Sequence, residues 1–208
     1  FAALELRFRG GTGLDAPGKR GAINLMTGLI EEGAADLDAQ GFAAAQESLG
    51  AHFSFDADND ALSISARFLS ANRDASVDLL KKGLTQTRFD QDAIDRGRGQ
   101  GVSIIQSDAK EPQAIAGDRW AHDVFGDHPY GLQANGTLDS VPKIDIADLK
   151  DYVRRVIAKD TLRIAVVGDV DAETLGKLLD KTFGKLPAKA SLTPVADVEA
   201  TRPPQRAF

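Results

Sequence analysis

The sequence predicts an α+β fold, with a mostly antiparallel twisted sheet of about five or six strands and helices packed against it. Short segments such as Leu4-Glu5-Leu6-Arg7-Phe8 alternate apolar and polar residues, and this period of two is typical of half-buried strands. Longer segments repeat apolar residues every three or four positions, the period of an amphipathic helix. The chain has 208 residues, of which 42% are hydrophobic, so it is long enough for one substantial core.

The first half of the chain predicts a strand, two helices and a hairpin. After the first strand, residues 18–33 carry one apolar stripe at helical spacing. A second helix over 39–49 begins after Asp38, whose side chain can accept a hydrogen bond from a free amide of the first turn, and ends at Gly50. Strands over 51–57 and 61–68 flank Asp58-Asn59-Asp60, and a hairpin is the simplest interpretation.

The second half predicts helices and one more strand. The predicted helices cover 73–87, 91–107, 112–125, 146–158 and 172–182, and the strand covers 162–168. Four of these helices begin after a residue of the type that caps helix N-termini. These capping residues are Asn72, Asp90, Asp145 and Asp171.

Composition excludes several classes of function. The formal charge of −6, spread over mixed acidic and basic residues, argues against a nucleic-acid or anionic-membrane partner, because both need clustered positive charge. The chain has no Cys, which excludes disulfides and thiolate metal sites. No run approaches the roughly 20 apolar residues that a membrane span needs.

Both ends of the sequence lead us to expect a longer protein. The chain starts at Phe1, already inside an alternating strand pattern, and ends in Arg202-Pro203-Pro204, which predicts an extended segment because Pro disfavours helix at and before itself. We therefore expect a fragment with one domain over 1–200, and residues 201–208 would begin a linker.

Three residues interrupt the apolar stripe of the first helix. Asn24, Thr27 and Gly28 stand at i, i+3 and i+4, so they share a helix face. In zinc peptidases of the inverted type, a His-x-x-Glu-His helix places two imidazoles at i and i+4 and a general-base Glu at i+3. An amide, a hydroxyl and a bare Cα cannot supply the imidazole, thiolate or carboxylate donors that zinc prefers.

Further segments match one family in order and spacing. They are Asp15-x-Pro17-Gly18-Lys19-x-Gly21-Ala22, Glu32-Gly33, His128-Pro129-Tyr130-Gly131, Gly136-Thr137, the stretch from Ile164 to Val170, and Phe183-Gly184-Lys185-Leu186-Pro187. Together they resemble the first domain of the pitrilysin/insulinase-type (M16) metallopeptidases and the related mitochondrial processing peptidase subunits. The resemblance covers roughly residues 3–188, and it implies the LuxS/M16-type metallohydrolase fold. It also implies that the first strand of the domain over 1–200 is truncated and that the linker leads to a second domain.

The resemblance implies that this chain keeps the positions of the family's zinc site but lacks its ligands and its general base. The family's His, Glu and His fall on Asn24, Thr27 and Gly28, within Asn24-Leu25-Met26-Thr27-Gly28, and its third ligand, a Glu, falls near Ile104 and Ile105. The nearest Glu is Glu111, beyond the predicted helix. We therefore expect no catalytic residue, no metal ligand and no cofactor in this chain, and no peptide hydrolysis by the chain alone.

Two functions follow from the resemblance. The first is a non-catalytic subunit or domain that forms chamber wall and substrate contacts in a heterodimer with a homologous, zinc-bearing M16 partner, so that zinc and peptide substrate sit in a shared chamber. The alternative is a structural or assembly protein of a larger complex, like the core proteins of respiratory complexes, with no proteolytic role. Bacterial relatives imply a periplasmic location.

The strand over 51–57 is the candidate substrate-binding element. In active relatives the corresponding edge strand pairs with an extended peptide. The candidate residues here are Ala51, His52, Phe53, Ser54 and Phe55. An ordinary edge strand, or one covered by a partner, is the alternative interpretation.

Other polar features have simpler interpretations. The segment Arg96-Gly97-Arg98-Gly99-Gln100-Gly101 is either an anion-binding loop or, as we favour, a helix whose glycines allow close packing. We expect His52 to be solvated and His128 to bond the local backbone; a metal site at His122 and His128 is a third, less favoured function. Glu31 and Glu32 are predicted to be surface residues.

Overall fold

The computed structural model describes residues 1–199 and confirms the α+β class. The predicted linker residues 201–208 lie outside the described part of the chain. The strands are β1 Ala2–Arg9, β2 Gly33–Ala34, β3 Leu37–Asp38, β4 His52–Ala57, β5 Ala61–Phe68 and β6 Leu162–Gly168. The helices are α1 Ala22–Leu29, α2 Ala39–Leu49, α3 Arg73–Thr85, α4 Gln91–Asp108, α5 Pro112–Phe125, α6 Ile146–Val156 and α7 Ala172–Phe183.

The six strands form two sheets. The larger sheet has the order β4-β5-β1-β6, and every pair in it is antiparallel. The strand β1 is central, since Leu6 lies opposite Ile64 of β5 and Ile164 of β6. The strands β2 and β3 pair with each other, and Ala34 of β2 also bridges Thr87, so the larger sheet has four strands rather than the expected five or six. These two strands are two residues long and are separated by a sharp turn in which Ala35 has a φ of 54°.

One face of the larger sheet makes the core. Along β1, Leu4, Leu6 and Phe8 are buried, whereas the intervening Glu5 and Arg7 are exposed, as the period of two requires. The buried face packs against helices through one continuous apolar cluster. The sheet therefore has a helix-covered face and a polar face, which explains why its strands alternate rather than run continuously apolar.

Three predicted helix caps are confirmed and two are wrong. The side chains of Asp38, Asp145 and Asp171 accept hydrogen bonds from amides of their first turns. Asn72 instead donates from Nδ2 to the Leu49 carbonyl over 2.9 Å, because it ends a short 3-10 turn that runs directly into α3. The Asp90 carboxylate accepts from the Arg88 guanidinium over 2.8 Å, so this stronger ionic hydrogen bond replaces the cap.

The first helix is shorter than predicted. It spans Ala22–Leu29 and continues as a single 3-10 turn over Ile30–Glu32. Helices α4 and α5 match the predicted segments to within a residue, and α3 ends two residues early. Within residues 1–199 no helix combines the length and the apolar character that a bilayer crossing demands.

Candidate functional site

Helix α1 is anchored at its N-terminus by a buried carboxylate. The Asp15 side chain, 2% exposed, accepts from the amides of Gly21 over 2.8 Å and Ile23 over 3.0 Å. The Arg20 guanidinium lies 3.7 Å from the same carboxylate. Burial raises the pKa of Asp15 above its ordinary value, although the two amide bonds oppose this. Asp15 thus fixes where α1 begins, and with it where Asn24 and Gly28 lie.

Helix α4 packs closely beside α1, and glycine makes this possible. A Cβ built on Gly97 would lie 2.8 Å from Leu25 Cδ1 and 3.4 Å from Leu29 Cδ2, so a side chain here would have to displace the Leu25 side chain. The helix runs unbroken through Arg96-Gly97-Arg98-Gly99-Gln100-Gly101, so the helix-packing interpretation is confirmed and the anion-binding loop is wrong.

The two arginines of this segment are committed to carboxylates. Arg96 donates to Asp92 and to Glu32, each over 2.8 Å, and Arg98 pairs with Asp95 over 2.6 Å. Both Glu32 and Arg96 line the opening between α1 and α4. The one Arg96 guanidinium is therefore shared by two carboxylates, and this end of the opening holds no unpaired cation.

A cleft of about 320 Å³ lies between α1 and α4 at the positions expected for the zinc ligands. Asn24 and Gly28 form part of one wall, and Ile104 forms part of the other. Asn24 Nδ2 donates to Asn135 Oδ1 over 2.7 Å. Thr27 is buried outside the cleft lining, and its hydroxyl donates to the Asn24 carbonyl over 2.8 Å. Of the three α1 positions, Asn24 and Gly28 therefore line the cleft, and Thr27 does not.

The structure also shows which α4 residue, Ile104 or Ile105, faces the cleft. Ile104 is 40% exposed and lines the cleft, whereas the neighbouring Ile105 packs against the core. Of these two positions, Ile104 is the one that shares the cleft with Asn24 and Gly28. Glu111 lies beyond the end of α4, at the N-terminal boundary of α5.

The residues of this cleft do not fit a zinc ion. Asn24 offers an amide, Gly28 has no side chain and Ile104 is a hydrocarbon, while zinc sites use imidazole, thiolate or carboxylate donors. Across residues 1–199 no group of three or more His, Cys, Asp or Glu side chains is arranged to hold a metal ion. No catalytic step through zinc can be derived for this chain.

The candidate substrate-binding strand β4 is an edge of the larger sheet and packs beside α1. Phe53 and Phe55 point into the core, while His52 is exposed and Ser54 is half-buried, with its hydroxyl donating to Asp56. Ala51 precedes the strand, and its amide donates to the Gln46 carbonyl over 3.0 Å. The strand can thus offer a peptide its free backbone edge and the side chains of His52 and Ser54.

The remaining histidines have local roles. His128 Nδ1 accepts from the Tyr130 amide over 3.2 Å, as predicted, and its Nε2 lies 2.9 Å from the Ala196 carbonyl. Both ring nitrogens therefore have backbone partners. His122 lies exposed on α5, and the neighbouring Asp123 accepts from Arg119.

The two acidic residues after α1 differ from each other. Glu32 is the partner of Arg96. Glu31 is half-buried rather than a plain surface residue, and burial raises its pKa. It lies near Gln46 and His52, beside the edge strand. Glu32 is half-buried as well, so the prediction of surface positions holds only in part for both residues.

Sequence reasoning missed two residues of the cleft. Asn135 comes from the loop after Leu132 and bonds Asn24, and Gln100 stands among the α4 glycines. The only signal for Asn135 was its place directly before Gly136. That glycine has a φ of 85°, and a Cβ on it would lie 2.3 Å from the Arg20 carbonyl, so the loop must press against the start of α1.

Two family models match the chain. The model described as "Insulinase (Peptidase family M16)" matches residues 1–138, and the model described as "Peptidase M16 inactive domain" matches residues 143–207. Similar solved structures include the peptidase M16 inactive domain from Pseudomonas fluorescens, with a TM-score of 0.88 and 26% identity over 94% of this chain and 48% of that one. Pitrilysin, 16% identical with a TM-score of 0.80, has the same fold.

Curated relatives agree with these matches. The chain is 27% identical over 184 residues to a non-peptidase homolog of Helicobacter pylori, covering 88% of this chain and 43% of the relative. It is 25% identical over 183 residues to the mitochondrial-processing peptidase subunit beta of Saccharomyces cerevisiae, covering 88% and 40%. The chain thus spans less than half the length of these relatives. Because the insulinase model covers well over half of the chain, the chain belongs to the insulinase family of peptidases, family M16.

Proposed function

We propose that this chain is the non-catalytic half of an M16 peptidase assembly and closes a shared chamber with a homologous partner that carries zinc. One observation supports this most directly: the scaffold around α1 and α4 is kept while its donor positions hold Asn24, Gly28 and Ile104. A similar protein is named as a subunit of a processing peptidase, which supports a role for this chain within a multi-subunit enzyme.

The partner is tested by capture from the native cell. The full-length protein, tagged and purified under mild conditions, should bring down an M16 protein with an intact His-x-x-Glu-His helix. The eluate should cleave peptides, and a chelator should abolish that activity while added zinc restores it. A protein that elutes alone and inactive would contradict the proposal. Recovery within a large complex without peptidase activity would favour the structural or assembly role instead.

The substrate contact in this proposal is the free edge of β4. An extended peptide added there would satisfy open amides and carbonyls of the strand by main-chain hydrogen bonds, with His52 and Ser54 on the exposed face. Amide hydrogen exchange of the full chain, with and without a mixture of blocked hexapeptides, tests this. Exchange in β4 should slow.

The other edge strand provides the control. The strand β6 is equally unpaired on its outer side within residues 1–199, but it lies across the sheet from β4. Its exchange should not change with the peptides. Equal slowing at both edges would mean nonspecific edge pairing and would remove β4 from the proposal.

A periplasmic location is part of the same proposal and rests on the resemblance to exported bacterial relatives. Fractionation of the native cell, followed by detection of the full-length protein, tests it. Recovery with cytoplasmic markers would contradict the location without affecting the other parts of the proposal.

A further inference from the structure

The cleft between α1 and α4 has the features of a binding pocket rather than of a packing defect. Its volume of about 320 Å³ is within the range of small-ligand sites. Gly28 contributes to its opening, since a Cβ built there would meet no atom within 4 Å. A residue of ordinary size at this position would fill the space that the missing histidine side chain leaves open.

The walls of the cleft are mainly hydrocarbon. Leu25 and Leu29 of α1 stand on one side, and Ile104 of α4 with Val141 stands on the other. Ile104 is 40% exposed, so an apolar group that enters the cleft would remove part of its surface from water. Such burial contributes about 25 cal/mol per Å² of apolar surface.

The polar groups of the cleft are neutral or paired. At one end, Asn24 and Asn135 share a hydrogen bond of 2.7 Å, and Gln100 stands nearby in the lining. At the other end, Arg96 is bonded to both Glu32 and Asp92, each over 2.8 Å, so the charged groups there already have partners. A charged group in the cleft would lose hydration without finding a free opposite charge.

Amide side chains suit a particular kind of ligand. Each carboxamide both donates and accepts hydrogen bonds. Asn24 lines the cleft and donates its Nδ2 to Asn135 Oδ1, and Gln100 lines the same cleft. Such a pair of amides matches the donors and acceptors of a peptide main chain.

We infer that the cleft binds a neutral, apolar residue of a peptide, with the side chain between Leu25 and Ile104 and the main-chain amides on Asn24 and Gln100. The former metal position would then be a side-chain pocket of the non-catalytic half. The peptide's origin as substrate rests on the proposed function, but the binding itself is a property of this chain.

The probe is N-acetyl-leucinamide, a leucine with an amide on each side, added to the full chain with labelled Ile, Leu and Val methyl groups. We expect saturable methyl shifts at Ile104, Leu25 and Val141, with a dissociation constant on the order of millimolar for a ligand of this size. The α-amides of N-acetyl-aspartate and N-acetyl-lysine should bind at least about tenfold more weakly. Equal binding of the charged probes, or shifts elsewhere only, would overturn the inference.

Two matched variants locate the site. Gly28→Leu fills the cleft and should weaken binding of N-acetyl-leucinamide at least about tenfold, while Gly99→Leu should leave it unchanged. Gly99 is also helical, and a Cβ built on it would meet no atom within 4 Å, but it does not line the cleft. Because both changes replace a helical glycine, a difference between them cannot come from helix propensity. Retained binding in Gly28→Leu would overturn the inference.

The inference and the proposed function can fail separately. If N-acetyl-leucinamide binds and Gly28→Leu prevents it, but the native cell yields no zinc-bearing partner, the pocket stands and the chamber proposal fails. If the partner is captured and the probe does not bind, the pocket fails alone. A circular-dichroism spectrum and an unfolding curve of Gly28→Leu that match the parent confirm that any loss of binding is local.

Discussion

At the scale of single residues, Asp15 does most to place the candidate site. It lies six residues before Gly21 along the chain, yet its buried carboxylate accepts from the amides of Gly21 and Ile23. A capping side chain normally belongs to the residue beside the first turn. Here Gly21, with a φ of 93°, has no side chain to use, so a more distant carboxylate satisfies the free amides.

Removing this carboxylate should be costly. Asp15→Ala leaves two amides without their acceptor in a buried position, and we expect a loss of about 2–4 kcal/mol in the free energy of unfolding. Asp38→Ala, at the exposed cap of α2, should lose only about 1 kcal/mol. Urea unfolding measures both losses, provided that the dependence of the unfolding free energy on urea concentration is the same in parent and variants. Similar losses for the two variants would show that burial does not increase the contribution of Asp15.

At the scale of helices and strands, the contact between α1 and α4 depends on one glycine. A Cβ on Gly97 would crowd the Leu25 side chain, whereas Gly99, two residues on, faces open space. The same helix therefore carries a glycine required by packing and another that packing does not require.

Substitutions at these two glycines should have opposite signs. Gly97→Leu should destabilise the protein by about 1–3 kcal/mol, because the added atoms push α1 and α4 apart. Gly99→Ala should stabilise it by about 0.5–1 kcal/mol, since Ala has the higher helix propensity and meets no neighbour. Thermal and urea unfolding of both variants check the signs. Stabilisation by Gly97→Leu would mean that the helices do not pack as described.

The cap of α7 gives a prediction for pH. The Thr174 amide, and then the Thr174 hydroxyl, hold the pKa of the Asp171 carboxyl below its ordinary value. A carboxyl whose pKa is lower in the folded state contributes stability above its unfolded pKa, and this contribution disappears as the pH falls through the folded pKa. The parent should therefore be more stable than Asp171→Ala at pH 7, and the difference should shrink below about pH 4.

An uncharged cap is the control for this pH effect. Asn caps a helix about as well as Asp but does not titrate. Asp171→Asn should therefore be more stable than Asp171→Ala by the same free energy of unfolding at every pH where the protein folds. Urea midpoints of the three proteins between about pH 3 and pH 7 make the comparison across the range in which a carboxyl titrates. If the difference in stability between the parent and Asp171→Ala did not change with pH, the ionised Asp171 carboxyl would not be the source of the stabilisation.

At the scale of the whole molecule, the candidate site joins two helices that are far apart in the sequence. Asn24 and Gly28 come from α1, and Ile104 comes from α4. The positions that the resemblance aligns with the family's metal ligands thus line one cleft, although they hold no zinc donor. It follows that metal-binding side chains introduced at these three positions should be able to bind one ion together.

Restoring donors tests that arrangement. The triple variant Asn24→His, Gly28→His and Ile104→Glu should bind one zinc ion, with a dissociation constant on the order of micromolar or tighter, because two imidazoles and a carboxylate then face one cleft. The matched variant with Ile105→Glu in place of Ile104→Glu should bind at least about tenfold more weakly, since that position packs against the core. Calorimetry with zinc measures both. Equal affinities would show that the register of α4 differs from the one described.

Local patterns explain why much of the fold was predictable. The alternation in β1 and the carboxylates at Asp38, Asp145 and Asp171 act within a few residues, so their outcome follows from nearby sequence. Asn72 and Asp90 are also suitable caps, but Leu49 and Arg88 offered them other hydrogen bonds. A cap prediction fails when the folded chain brings another partner to the capping side chain.

The sequence by itself determined the order of helices and strands and the absence of zinc donors at Asn24, Thr27 and Gly28, because periodicity, capping and side-chain chemistry are local properties. Only the tertiary structure decided that Thr27 turns away from the cleft, that Ile104 rather than Ile105 faces it, and that Asn135 joins it. Neighbouring positions on a helix differ by about 100° in direction. Which of these side chains faces the cleft depends on how α1 and α4 pack against each other, and local sequence patterns do not reveal this packing.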